Sequence, residues 1–128
     1  MSNQNIEVTK KGYDAFTAGD LEAALNVFDD SAEWIINGES MIGGTYRGKA
    51  ELAELFMRLS EKSTQVETKR FLADGEVVMV LTQVTVGAET ADEADVFEFR
   101  DGKVVKVHSF GDTAMQERIF GSKRAATA

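Results

Sequence analysis

Apolar residues recur at helical spacing through the first half of the chain and alternate through the second. From Ile6 to Ala18 a stripe of Ile6, Tyr13 and Phe16 predicts a helix, which Gly19-Asp20 interrupts. Asp20 is placed to cap a second, short helix, in which Leu21, Ala24, Leu25 and Phe28 share one face. The run Ala32-Glu33-Trp34-Ile35-Ile36 reads as a short strand. Asn37 to Gly48 holds four glycines and reads as a loop. A third helix is expected from about Lys49 to Ser60, with Leu52, Leu55, Phe56 and Leu59 on its buried face.

Beyond Ser60 the period changes to two. Thr64–Ala73, Glu76–Val86, Thr90–Arg100 and Lys103–Phe110 are long and rich in Val, Thr and Phe, as strands are. Asp74-Gly75, Gly87-Ala88-Glu89 and Asp101-Gly102 separate them and are hairpin turn signals. Helices first and an antiparallel meander second predict an α+β domain, with the helices gathered on one face of a curved sheet. The concave side of such a sheet is only partly filled by helices, and a pocket is expected there. Residues 1–120 read as one domain, and the small, polar residues 121–128 as a disordered tail.

Composition narrows the partners. No apolar run is long enough to span a bilayer, and the net charge of −8 repels phosphate backbones and anionic membranes. Nucleic acid and membrane are therefore not expected partners. The polar Met1-Ser2-Asn3-Gln4 start has no basic-then-apolar leader, which sets the cytoplasm as the expected location. With no cysteine and a single histidine, His108, neither a thiolate site nor a transition-metal site is expected, and no cofactor is implied.

The run Tyr13–Phe28, then Trp34, Gly44-Thr45-Tyr46-Arg47-Gly48, Asp95–Val105 and Phe110-Gly111-Asp112-Thr113 resembles the SnoaL-like, ketosteroid isomerase-related proteins of the nuclear transport factor 2-like superfamily. The resemblance covers roughly Ile6 to Phe120. It implies a cone-shaped fold, a pocket for a hydrophobic small molecule, and a homodimer joined through the outer sheet face. In ketosteroid isomerase a tyrosine and a protonated aspartic acid hold the developing enolate while a second aspartate carries the proton. Aligned on Gly19-Asp20, that tyrosine falls on Gly12, with Tyr13 one position off, and the base falls on Ile36. The pocket aspartic acid falls on Asp95. The epoxide hydrolases of the superfamily use an Arg-x-Asp pair and a further aspartate on the last strand. Asp95 matches again, but Glu93 holds the arginine position and Ser109 that of the second aspartate.

Pleat parity supplies an independent reading, because residues two apart share a face. Glu93, Asp95, Phe97 and Phe99 lie together, with Val96, Glu98 and Arg100 opposite. If the phenylalanines face inward, Asp95 enters the pocket above an aromatic floor, with Glu93 about 7 Å along the strand and nearer the rim. A carboxyl so desolvated would have a raised pKa and act as donor or general acid, here Asp95, with Glu93 as a base. A structural carboxylate bonded to backbone is the plainer alternative.

On the last strand the resemblance puts Val105, Val107 and Ser109 inward. Val104, Lys106, His108 and Phe110 then face out, and only a β-bulge would reverse them. His108 is thus expected at an interface rather than in the pocket. Trp34 shares the parity of Ile36 and is expected to line the pocket, as ligand wall or as core. Tyr13 and Phe16 read as helix-to-sheet packing rather than catalytic groups, and Tyr13 counts among the ligand-binding residues. Met41 and Tyr46 are candidates to gate the mouth, and Asp112 to cap a C-terminal turn. Two functions compete: a cofactor-independent acid/base enzyme acting on a hydrophobic substrate, and a binding or dimerisation module that kept the pocket but lost the base.

Overall fold

A computed structural model describes residues 2–123. Helices α1 (Ser2–Thr17) and α2 (Leu21–Asn26) lead into strand β1 (Phe28–Ile36). Then come β2 (Gly44–Arg47), α3 (Gly48–Glu61), β3 (Gln65–Asp74), β4 (Val77–Val86), β5 (Glu89–Arg100), β6 (Lys103–Phe110) and α4 (Thr113–Phe120). The six strands form one sheet in the order β2-β1-β6-β5-β4-β3. All neighbours are antiparallel except β1 and β6, which run parallel. The α+β architecture and the mostly antiparallel sheet are as the pattern predicts.

Local chemistry accounts for most boundaries. Asp20 caps α2 by accepting from the Ala23 amide at 3.1 Å. The β5–β6 turn places Asp101 and Gly102 at φ 52° and 79°, the left-handed pair that a two-residue hairpin needs and that Asp-Gly tolerates. Leu52, Leu55 and Phe56 of α3 are buried against the sheet. A chain of edge-to-face rings, Phe16–Phe56–Trp34–Phe97–Tyr13, then links α1, α3, β1 and β5 at centroid separations of 5.7–6.0 Å.

Four features depart from the sequence reading. Phe28 belongs to β1, not to the second helix: it is buried in either setting, but pairing with Val104 of β6 draws its backbone into the sheet. Part of the glycine-rich segment is a strand, because β1 has a free edge. Trp34 pairs with Tyr46 and Ile36 with Gly44 there. A register shift lies between Glu98 and Phe99, where β5 passes from Lys106 to Val104 and leaves Val105 as the extra residue. Val104 is consequently fully buried, in the inward place expected for Val105. Asp112 does cap, but what it caps is an eight-residue helix, through its carboxylate and the Met115 amide at 2.9 Å.

The expected tail also differs at its start. The Gly121 carbonyl accepts from the Met41 amide (2.9 Å), and Lys123 gives its amide to the Glu39 carbonyl (2.7 Å) and its ammonium to the Gly43 carbonyl (2.6 Å). The small residues leave a backbone that the glycine-rich loop can pair with. Residues 124–128 of that tail lie outside the described residues. No helix among those described is long and apolar enough to cross a membrane.

Because α4 hangs on one side-chain cap, Asp112→Ala is expected to cost about 1 kcal/mol. The faster amide exchange it causes should be concentrated in residues 113–120. A uniform rise over the whole sheet would show that the cap does something else.

Candidate functional site

Between the helices and the concave face of the sheet lies a cavity of about 110 Å³. Its depth is apolar and aromatic, with Phe16, Phe28, Trp34, Ile36, Phe56 and Phe97 in the wall. Its polar residues include Thr9 and Tyr13 from α1, Thr64 just ahead of β3, Glu93 and Asp95 from β5, and Ser109, Asp112 and Gln116 from the β6–α4 end. Strand register assembles the centre. Ile36, Ser109, Asp95 and Val80 stand side by side across β1, β6, β5 and β4. Trp34, Val107, Phe97 and Val78 form the next row.

Asp95 is only 2% exposed. Its Oδ2 accepts from the Tyr13 hydroxyl at 2.5 Å and its Oδ1 from the Ser109 hydroxyl at 2.7 Å. Ser109 Oγ in turn accepts from the Trp34 indole N–H at 2.8 Å. An indole N–H can only donate, so the serine proton is left for Asp95, which receives both bonds as a carboxylate does. Burial, then the charge of Asp95 and the hydrogen bond to it, push the Tyr13 phenol well above its ordinary pKa.

Beside this carboxylate stands half-buried Glu93. Burial, the charge of Asp95 and a hydrogen bond to that carboxylate push the Glu93 pKa up to about 10. At neutral pH Glu93 therefore keeps its proton. Room for the Glu93 carboxyl exists because residue 111 is glycine: a β-carbon there would fall 2.5 Å from Glu93 Oε1.

Several expectations need correction. Glu93, expected as the base, is a carboxyl whose pKa is raised, while Asp95 has two hydroxyl donors aimed at it. Phe99 and Val107 do not line the cavity. They are fully packed in the core beneath it, where the inner faces of β5 and β6 close together. Tyr46 and Met41 do not gate this cavity. The Tyr46 hydroxyl is tied to the Ile42 carbonyl at 2.7 Å, and Met41 is 44% exposed outside it.

His108 lies outside the cavity, stacked on Phe110 at 4.2 Å and bonded through Nε2 to Asn37 Oδ1 at 2.8 Å. The bulge lies upstream of Lys106, so it leaves the parity of His108 unreversed. Tyr13, Trp34, Ile36, Phe97 and Ser109 line the cavity with Glu93 and Asp95. Sequence reasoning missed Gln116 and the rest of α4, whose signal was the Asp112 cap followed by Met115, Ile119 and Phe120 at helical spacing. Among the described residues no cluster of His, Asp or Glu is arranged to hold a metal ion.

The SnoaL-like domain model matches residues 10–107. The chain belongs to the SnoaL-like domain family. Among solved structures, this SnoaL-like chain is similar to Bal32a from a soil-derived mobile gene cassette. That protein is 24% identical, with 93% of this chain and 98% of that one covered and a TM-score of 0.86. It is also similar to an NTF2-like protein from Burkholderia xenovorans, at 29% identity, 94% and 98% coverage and a TM-score of 0.80. TerC, co-crystallized with polyporic acid, is 25% identical, with 93% and 99% covered and a TM-score of 0.80. No curated protein matches the chain significantly.

The proton on Glu93 has a consequence for stability. Between the ordinary glutamate value of about 4.3 and about 10, the folded SnoaL-like domain holds one proton more than the unfolded chain. Stability therefore falls as pH rises through that window. Glu93→Gln should flatten the decline, by at most about 1.4 kcal/mol per pH unit, in urea unfolding followed from roughly pH 5 to 9. Parallel slopes for the two proteins would contradict the assignment.

Proposed function

We propose that this protein is a cofactor-independent acid/base catalyst acting on a hydrophobic carbonyl compound bound in the cavity. The observation that supports this most directly is the one-proton carboxyl pair, Asp95 and Glu93, at the boundary between aromatic depth and polar mouth. Such a pair supplies a base and an acid within one site. Asp95 takes a proton from the carbon beside the carbonyl, and the C–H electron pair moves into a new C=C bond. The carbonyl π electrons shift to oxygen, which takes the proton from Glu93. The enol forms with the pair still holding one proton, now on Asp95. Return of that proton to the same or another carbon, with the hydroxyl proton restored to Glu93, completes an exchange or an isomerisation.

Tyr13 and the Trp34–Ser109 relay orient the Asp95 carboxylate, which keeps a lone pair for the substrate beyond those that accept from Tyr13, Ser109 and Glu93. Trp34 and Phe97 provide a flat apolar wall for a ring. Steroid isomerisation by the ketosteroid isomerase arrangement is not part of this reading, because Ile36 fills the position of that enzyme's base and lines the cavity here.

The test needs no knowledge of the natural substrate. Cyclic and aryl ketones incubated in D₂O would be followed by NMR for exchange of the hydrogens beside the carbonyl. Wild type is expected to exceed Asp95→Asn by about a hundredfold or more. Equal rates across the panel would reduce the cavity to a binding site, the module reading.

The same proposal includes a homodimer joined through the outer sheet face. Leu72, Val77, Leu81 and Phe110 on the strands each keep more than a third of their surface exposed, which supports pairing. Light scattering at micromolar concentration should give the mass of two chains, and Leu81→Asp should halve it. A monomer in wild type would exclude the interface.

A further inference from the structure

The polar part of the cavity is unbalanced in charge. Asp95 and Glu93 stand inside it, exposed Asp112 stands at its mouth, and among the described residues no lysine, arginine or histidine lines it. The lining also contains acceptors without donors. Gln116 Oε1 is buried with no partner, and so is the Thr64 hydroxyl, both on the cavity wall. An amide oxygen can only accept, so what is missing opposite Gln116 is a donor. A buried polar atom without a partner costs free energy that an N–H-bearing occupant would recover. The acidic lining is not arranged to hold a metal ion, while the depth is aromatic. The complementary occupant is therefore an organic group with an apolar ring at one end and a cationic donor at the other.

We propose that the cavity selects apolar amines: the ring lies against Trp34, Phe56 and Phe97, and the ammonium sits at the acidic mouth, donating to Gln116 Oε1. This rests on the reading of the cavity as a substrate site and adds the substrate's charge. Anions are excluded by the same carboxylates, which have no cation among the described lining residues to neutralise them. Neutral rings fit the depth but leave the Gln116 oxygen unpaired. The groups facing Glu93 in this arrangement are Tyr13 from α1, Asp95 from β5, and Asp112 and Gln116 at the start of α4. None of them is cationic, so an arriving ammonium is the one positive charge Glu93 meets.

Trp34, the single tryptophan, reports binding through its fluorescence. Benzylammonium, benzyl alcohol and benzoate share one ring and differ in charge. Benzylammonium is expected to bind about tenfold more tightly than benzyl alcohol, with benzoate weakest and the gap narrowing in high salt. Asp112→Asn, which keeps a capping side chain, should weaken benzylammonium about two- to fivefold and leave benzyl alcohol unchanged.

Benzyl alcohol or benzoate binding as tightly as the amine would overturn the proposal, as would quenching by none of the three. Failure of this charge ranking, with Asp95-dependent ketone exchange intact, removes the amine preference and leaves the acid/base reading. The reverse pattern leaves an amine-binding cavity without catalysis.

Discussion

A carboxylate cannot be left alone in an aromatic cavity, and the arrangement around Asp95 follows from that. The cost of burying an isolated charge is far larger than the net stability of a small domain, so the group must be bonded, paired or protonated. Here no cation pairs with it. Three elements each send one group toward it instead: the Tyr13 hydroxyl from α1, the Ser109 hydroxyl from β6 and, behind Ser109, the Trp34 indole from β1. The remaining electrostatic problem, a second carboxyl two residues along β5, is solved by leaving that carboxyl protonated. One buried charge thereby sets the orientation of α1, the pairing of β1 with β6 at this row, and the protonation of Glu93.

The same constraint separates the two carboxyl groups in role. Both are on the inner face of one strand and both meet the same cavity. They differ in donors: Asp95 has two hydroxyls aimed at its oxygens, whereas Glu93 faces Gly111 and the start of α4. Hydrogen bonds to the charged form favour it, and desolvation without them favours the neutral form. Neighbouring residues of the same chemistry thus come to sit in different environments, with the small Gly111 leaving the space for the second.

Much of the fold was legible because local chemistry and global packing agree along most of the chain. The period-3.6 stripes on α1 and α3, the Asp20 cap, the alternation in β3 to β6 and the Asp-Gly hairpin are short-range signals, and each produced the element it predicts. What was not legible involved partners distant in sequence. β2 has a glycine-rich sequence without strand character, and it is a strand because the β1 edge offers it hydrogen bonds. Val105 lost its inward place to Val104 because one extra residue in β6 is accommodated opposite Glu98 and Phe99. Tyr13 stands one position from where the isomerase tyrosine aligns, yet its phenol reaches Asp95, since a long side chain on a packed helix has reach that an alignment column does not represent.

By itself the sequence determined which residues could meet. Parity grouped Glu93 and Asp95 with Phe97 on one face of their strand, and Ser109 with Val107 opposite Lys106 and His108 on the next, because side-chain direction along a strand is a local property. It also determined that the charge around them would be acidic. Tertiary structure alone decided who bonds to whom. That Trp34 donates to Ser109 rather than to a ligand, that Ser109 and Tyr13 both donate to Asp95, and that the shared proton consequently rests on Glu93 are outcomes of strand register and helix docking across 75 or more residues of chain for the outer bonds. Protonation follows the difference between two environments, and an environment exists only once the chain is packed.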